Sequence, residues 1–170
     1  VVRRAARAVV SSPVAGTVLL MSQAYGALAI LASVTKDKAA AEQLLPRLEP
    51  LGSLATGSLP QSDHIRGLLL EVLDRMDEAV AAIEKGLAFL PPAYRPQRAD
   101  AAYDCARIRL LRDAPGDRGR ARELIDEALG NAQNLGMRPL IDKLVALKMQ
   151  DQGISTITTD IYTSIDVVAE

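Results

Sequence analysis

The chain has no tryptophan, one phenylalanine and four tyrosines among its 170 residues. Sheet proteins fill their cores with aromatic and β-branched side chains, so this scarcity points away from a β-sandwich. A single cysteine, Cys105, excludes an internal disulfide framework and fits a reducing, cytoplasmic compartment. A single histidine, His64, lacks the neighbours that a zinc site or a catalytic triad needs. No charge sign dominates: the formal net charge is −1, so no global field draws the chain to nucleic acid or to an acidic membrane. A long hydrophobic run is missing too. The stretch Val14 to Val34 is broken by Thr17, Ser22, Gln23 and Ser33. A bilayer span needs about 20 strongly apolar residues, so this stretch reads as a buried helix. Gly116-Asp117-Arg118-Gly119 has no Lys-Ser/Thr after it and is not a phosphate loop.

What is present is alanine and leucine. Hydrophobic residues make up 49% of the chain, enough for one domain with a real core. Small and unbranched apolar residues suit helix-on-helix packing. The N-terminal Val1-Val2-Arg3-Arg4-Ala5-Ala6-Arg7 has the charge of a signal n-region, but Ser11-Ser12-Pro13 interrupts the apolar segment that would have to follow. The chain starts without Met and stops in mid-flow at Glu170, which reads as a piece of a longer polypeptide.

Eight helices are predicted. Val1 to Val10 sets Arg3, Arg4 and Arg7 against Val2, Ala5, Ala6 and Val9. The second helix, to about Val34, is apolar nearly all round and is expected to be enclosed by neighbours. Asp37 is placed as the N-cap of a third helix with Ala40, Ala41, Leu44, Leu45 and Leu48 inward, which Pro46 should kink or shorten. A loop rich in Gly, Pro and Ser, Pro50 to Ser62, precedes a helix pair from Gly67 to Pro91 with a turn at Asp74 to Asp77. The second helix of that pair carries Met76, Ala79, Val80, Ile83, Leu87 and Leu90 on one stripe. Gln97 to Arg112 shows two stripes, Ala99/Ala102/Tyr103/Ala106/Leu110 and Ala101/Cys105/Ile108, as expected of a helix packed on two sides. Asp117 is the expected N-cap of a seventh helix ended by Gly136, and Pro139 opens an eighth ending near Gly153. From Ile154 the sequence is β-branched and polar, so a non-helical tail is expected. The domain division is therefore 1–153 for the helical part and 154–170 for a linker.

The helix pair resembles a tetratricopeptide repeat. Gly67, Ala79, Ile83, Gly86 and Pro91 fall on the small, bulky and proline positions of that family, while Asp63 and Leu70 stand where its Trp and Tyr are common. A weaker copy lies at Ala106, Ala121, Ile125 and Ala128, and a fainter one around Gly26 and Leu44. Ala79 and Ala121 lie 42 residues apart. The family's period is about 34, and the Pro-rich connector and the Asp113–Gly116 turn account for the excess. The resemblance implies an all-α right-handed superhelix of about eight antiparallel helices, with paired helices in close approach. Tyr103-Asp104-Cys105-Ala106-Arg107, the run Ala121 to Leu129 and Leu135-Gly136-Met137-Arg138-Pro139 are further similar to the C-terminal part of large bacterial signalling ATPases, many of which carry a class III adenylate/guanylate cyclase domain. Thr163 to Glu170 resembles the linker into such a domain. Asp160 sits in an Asp-Ile context like a cyclase metal ligand, but Tyr162-Thr163-Ser164 follows it in place of Gly-Ser-Thr, and it reads as linker.

No cluster of catalytic or metal-ligating residues emerges, and no cofactor is expected. Cys105 lies on an apolar stripe and reads as structural. Arg118, Arg120 and Arg122 lie close to Glu123, Asp126 and Glu127 and read as locally paired, not as a nucleic-acid surface. The resemblance places His64 on the side that faces the groove, against the plainer alternative of a surface or groove-rim histidine with no special task, and makes His64, Leu68, Glu71 and Arg107 the candidate partner-binding residues. It implies a non-catalytic interaction and regulatory module whose partner is a protein or peptide segment or a neighbouring domain, linked to a nucleotidyl cyclase. The alternatives are a repeat domain that senses a small molecule, a fragment of a parent cyclase, and an independent enzyme, which the lack of clustered polar groups disfavours.

Overall fold

The computed structural model describes residues 2–11, 18–54 and 60–153. Among these the secondary structure is entirely helical: α1 (Val2–Val10), α2 (Val18–Thr35), α3 (Lys38–Leu48), a 3-10 turn (Glu49–Leu51), α4 (Ser62–Val72), α5 (Met76–Phe89), α6 (Arg95–Arg112), α7 (Asp117–Leu135) and α8 (Arg138–Asp151). The tail from Ile154 and the tip of the loop before α4 lie outside the described residues.

Local chemistry sets most boundaries. Asp37 caps α3 as its sequence suggests, its Oδ1 accepting from the Ala40 N–H at 3.0 Å. Pro46 does not end α3, which runs on to Leu48 before tightening into the 3-10 turn. Pro46 and Glu42 are both exposed, so the carbonyl that the proline leaves without a donor faces water. The α4–α5 turn is Leu73 to Arg75, with Asp74 in the left-handed region at φ 60°, and α5 already begins at Met76. α6 starts two residues ahead of the expected Gln97, because Pro96 in a first turn has no N–H to leave unpaired. α7 ends at Gly136, whose φ of 67° is the left-handed closure expected there. Asp117 corrects the sequence reading. Gly116 holds the cap position and Asp117 is the first helical residue, its side chain turned back to the Ala114 N–H at 2.9 Å.

Two apolar clusters hold the helices together. One runs through α5, α6, α7 and α8, with Ile83, Ile108, Leu124, Ile125 and Leu144 at its centre. The other joins α2, α3 and α4 through Ala29, Ala41, Leu48, Ile65 and Leu69. α4 belongs to both, giving Leu70 to the first and Ile65, Leu69 and Val72 to the second. The two stripes of α6 are buried in the first cluster, which gives that helix neighbours on two sides. Each helix packs on the next in sequence. The even-numbered helices also meet as second neighbours: α2 with α4, α4 with α6, and α6 with α8.

α2 is not enclosed as expected. Ala24, Ala29 and Ala32 are buried, whereas Tyr25, Leu28 and Leu31 are only half-buried, and Leu20 and Val34 are exposed. The reason is that α1 and α3 both pack on α2 but scarcely on each other, leaving part of its flank uncovered.

α4 and α5 approach closely at Gly67. A Cβ there would stand 2.3 Å from Ile83 Cγ1 and 2.9 Å from the Ala79 carbonyl oxygen. Gly67→Ala is therefore expected to lower stability by about 1–3 kcal/mol in urea denaturation, through overpacking. Combined with Ile83→Ala, which vacates the contested space, the loss should fall short of the sum of the single losses by about 1 kcal/mol.

Candidate functional site

The candidate residues lie on one seam, where α4 meets α6. α4 and α6 meet through polar side chains that reach across from each helix. Arg107 reaches across with both terminal nitrogens, donating to Glu71 Oε1 at 2.6 Å and Oε2 at 2.8 Å. This fork-on-carboxylate geometry is the strongest pairing available to an arginine. Lys36, just before α3, adds a third donor to Glu71 Oε1 at 3.1 Å. One turn earlier on α6, Asp104 receives Arg107 at 3.3 Å and pairs its other oxygen with His64 Nε2 at 2.9 Å. The chain Lys36–Glu71–Arg107–Asp104–His64 thus ties α4 to α6.

Burial tends to raise the pKa of the Glu71 carboxyl, but the Arg107 and Lys36 cations outweigh it and hold the group below its ordinary value. Asp104 follows the same pattern: burial is opposed by His64 and Arg107, and the carboxyl lies low. The Arg107 guanidinium is raised, first by its hydrogen bonds to Glu71. Glu71, Asp104 and Arg107 are thus charged and mutually satisfied.

This geometry revises the picture of an open groove. His64 is 2% exposed and belongs to the interior, not to a rim. Glu71 is buried, Arg107 is partly exposed, and Leu68 is half-buried beside them on α4. The structure brings His64, Glu71 and Arg107 together and adds Lys36 and Asp104, which the sequence pattern did not single out. The Tyr103 ring lies under Lys143 Nζ at 5.8 Å, linking α6 to α8 on the same layer.

Two further buried carboxylates anchor the ends of helices. Asp63 is fully buried at the start of α4, accepting from Gln61 Nε2 at 2.8 Å, Lys85 Nζ at 3.1 Å and the Ser53 hydroxyl. Burial raises its pKa, and these donors together bring it below the ordinary value. Gln61 caps α4 by accepting from the His64 N–H at 3.0 Å, and it is held against Gly86, where a Cβ would come within 2.5 Å of its oxygen. Asp117 accepts from Arg109 and Arg112, both at 2.6 Å. The hydrogen bonds from Arg112 are the main reason that its carboxyl lies far below the usual range. It is shielded from water by these two guanidiniums rather than by the depth of the core.

Cys105 is fully buried, and burial pushes its thiol up to about 11, so it is a protonated thiol at neutral pH. Arg118 pairs with Asp113, Arg120 with Glu123, and Arg122 with Asp151, so the arginine cluster of α7 is neutralised locally. Among the described residues, no group of three or more His, Cys, Asp or Glu could hold a metal ion. Nor is any helix among them long and apolar enough to cross a membrane. No family model, curated protein or solved structure matches the chain.

A double-mutant cycle on Glu71→Gln and Arg107→Gln is expected to give a coupling of about 1–2 kcal/mol, discounted for the partial exposure of Arg107. Asp117→Asn should cost about 2 kcal/mol at neutral pH, since it removes the charge that Arg109 and Arg112 share and sets an amide NH2 against neighbouring donors. The sign of its pH dependence follows from the depressed folded-state pKa of Asp117. Its stabilisation is present above the unfolded-state value and lost as pH falls. Urea titrations should show the gap between wild type and Asp117→Asn closing progressively below about pH 4.

Proposed function

We propose that the chain is a helical repeat module of tetratricopeptide type that binds a protein or peptide segment and passes that event to neighbouring domains. The carrying observation is the second-neighbour packing of α2, α4, α6 and α8, flanked by α3, α5 and α7. Repeat arrays place one helix of each pair in a continuous inner layer, so that each unit touches only its neighbours. On this reading the pairs are antiparallel, the superhelix is right-handed, and the even-numbered helices line the concave face. The close fit of Gly67 against Ile83 and Ala79 supports the same reading.

The α4–α6 seam then has a structural task and a recognition task. Glu71 and Asp104 are saturated by partners within the chain, so they fix the spacing of the inner layer. Leu68, half-buried, and Arg107, partly exposed, are the groups of the seam that a partner can reach. The parent protein is read as a bacterial signalling protein of the ATPase or nucleotidyl cyclase kind, with residues 154–170 as the linker toward its effector and the whole in the cytoplasm. That part rests on the resemblance of the segments quoted above and on the single cysteine.

Site-specific photo-crosslinking tests the interaction reading. A photoreactive residue at position 68 should capture one defined peptide segment, from a partner or from an adjoining domain of the parent protein. The same residue at exposed Leu111 should capture none. Equal yields at both positions, or none at either, would remove the reading's support.

A further inference from the structure

A second surface lies away from the α4–α6 seam. The uncovered flank of α2 forms the floor of a cleft of 840 Å³ between α1 and α3. Its floor is apolar, made by Tyr25, Leu28 and Leu31 of α2 with Leu44 of α3. Its banks are cationic: Arg3 and Arg7 stand on α1, and Arg47 on α3.

These arginines differ from those of α6 and α7. Every arginine of α6 and α7 donates a hydrogen bond to an oxygen or amide partner within the protein. Arg7 and Arg47 have no ion pair among the described residues, and Arg3 meets only the half-exposed Asp37 at 3.6 Å. The charge is also unevenly spread along the sequence. Residues 1–48 hold six Lys and Arg against two Asp and Glu, a net +4, so the remaining residues carry −5 of the overall −1.

We propose that the cleft between α1 and α3 is a docking site for an acidic amphipathic helix. Its apolar stripe covers Tyr25, Leu28 and Leu31, and its carboxylates pair with Arg3, Arg7 and Arg47. Shape favours a rod. Two helices flank a third and scarcely touch each other, and the gap between them follows Tyr25, Leu28 and Ala32 along α2. Helices pack at axis separations of about 8–10 Å, so a fourth helix fits such a gap. Charge spacing favours a helix over one anionic head group. Arg3 and Arg7 lie one turn apart, about 6 Å, and Arg47 belongs to the other bank. A lone carboxylate reaches one or two of these cations, whereas acidic residues a turn apart on a helix reach both banks. The proposal does not require the even-helix layer to bind anything, so either can fail alone.

The test uses the full chain and a fluorescent synthetic helix of about 18 residues, with Leu on one stripe and Glu on both flanks. Three companion probes are the Gln-for-Glu helix, the Lys-for-Glu helix and dodecanoate. Anisotropy should show saturable binding of the Glu helix that weakens with added salt. Arg7→Glu/Arg47→Glu should weaken it by about tenfold or more and create affinity for the Lys helix. Leu28→Asp should abolish binding with the helical circular dichroism unchanged. Since α1 and α3 keep their other contacts in the charge-reversed variant, gain of Lys-helix binding also shows that the variant is folded. Equal binding of the Glu and Gln helices would overturn the proposal. So would dodecanoate saturating the cleft while the Glu helix fails to bind, or self-association that the Arg7→Glu/Arg47→Glu change disperses.

Discussion

The contact of Gly67 with Ile83 and the Ala79 carbonyl sets the position of α4, and α4 sets the rest. A side chain at 67 would hold α5 away from α4, and Ile83 would lose the space it fills. α4 in turn contributes to both apolar clusters and carries Glu71 and His64 to α6. A displacement of α4 would thus be felt in both cores and at the polar seam together. Its N-terminus is fastened accordingly: Gln61 caps the helix and packs against Gly86 of α5, while Asp63 gathers donors from both sides.

Charge in this protein is spent on geometry. Glu71, Asp104, Asp63 and Asp117 are shielded carboxylates, each held ionised by cations or hydrogen-bond donors that outweigh the cost of desolvation. Buried ion pairs contribute little net stability when compared with well-packed apolar groups, but they are demanding about position. A bidentate Arg–carboxylate pair tolerates little rotation. The Glu71–Arg107 pair therefore holds α4 and α6 at one angle in a core whose alanines and leucines would accept several.

Much of the fold was legible because it rests on local periodicity. The stripe Ala121, Leu124, Ile125, Ala128 and Ala132 of α7 is buried as its 3.6-residue spacing requires, and both stripes of α6 are covered. Asp37 and Gly136 mark helix ends by chemistry confined to a few residues. The errors at Pro96 and Asp117 are of one or two residues, where two boundary signals compete. The seam was less legible. Glu71 and Arg107 are 36 residues apart and His64 and Asp104 are 40 apart, and nothing local to either residue announces the other. Only the Asp104–Arg107 spacing of three hinted at a pair. α2 failed for a different reason: a helix that is apolar on every side does not say which side its neighbours will leave open.

The sharing of α4 between two clusters bears on how the chain comes apart. In a stacked array, a terminal unit can open without the units beyond it, so amide exchange reports several cooperative blocks instead of one. Here α2 and α3 rest on the Ile65, Leu69 and Val72 side of α4, while α5 to α8 keep a core of their own. Opening of the N-terminal block would strip one side of α4 and leave Leu70, Glu71 and His64 engaged with the other. The slowest-exchanging amides of α4 thus belong with the C-terminal block. The helix is a seam between foldons, released from one well before the other.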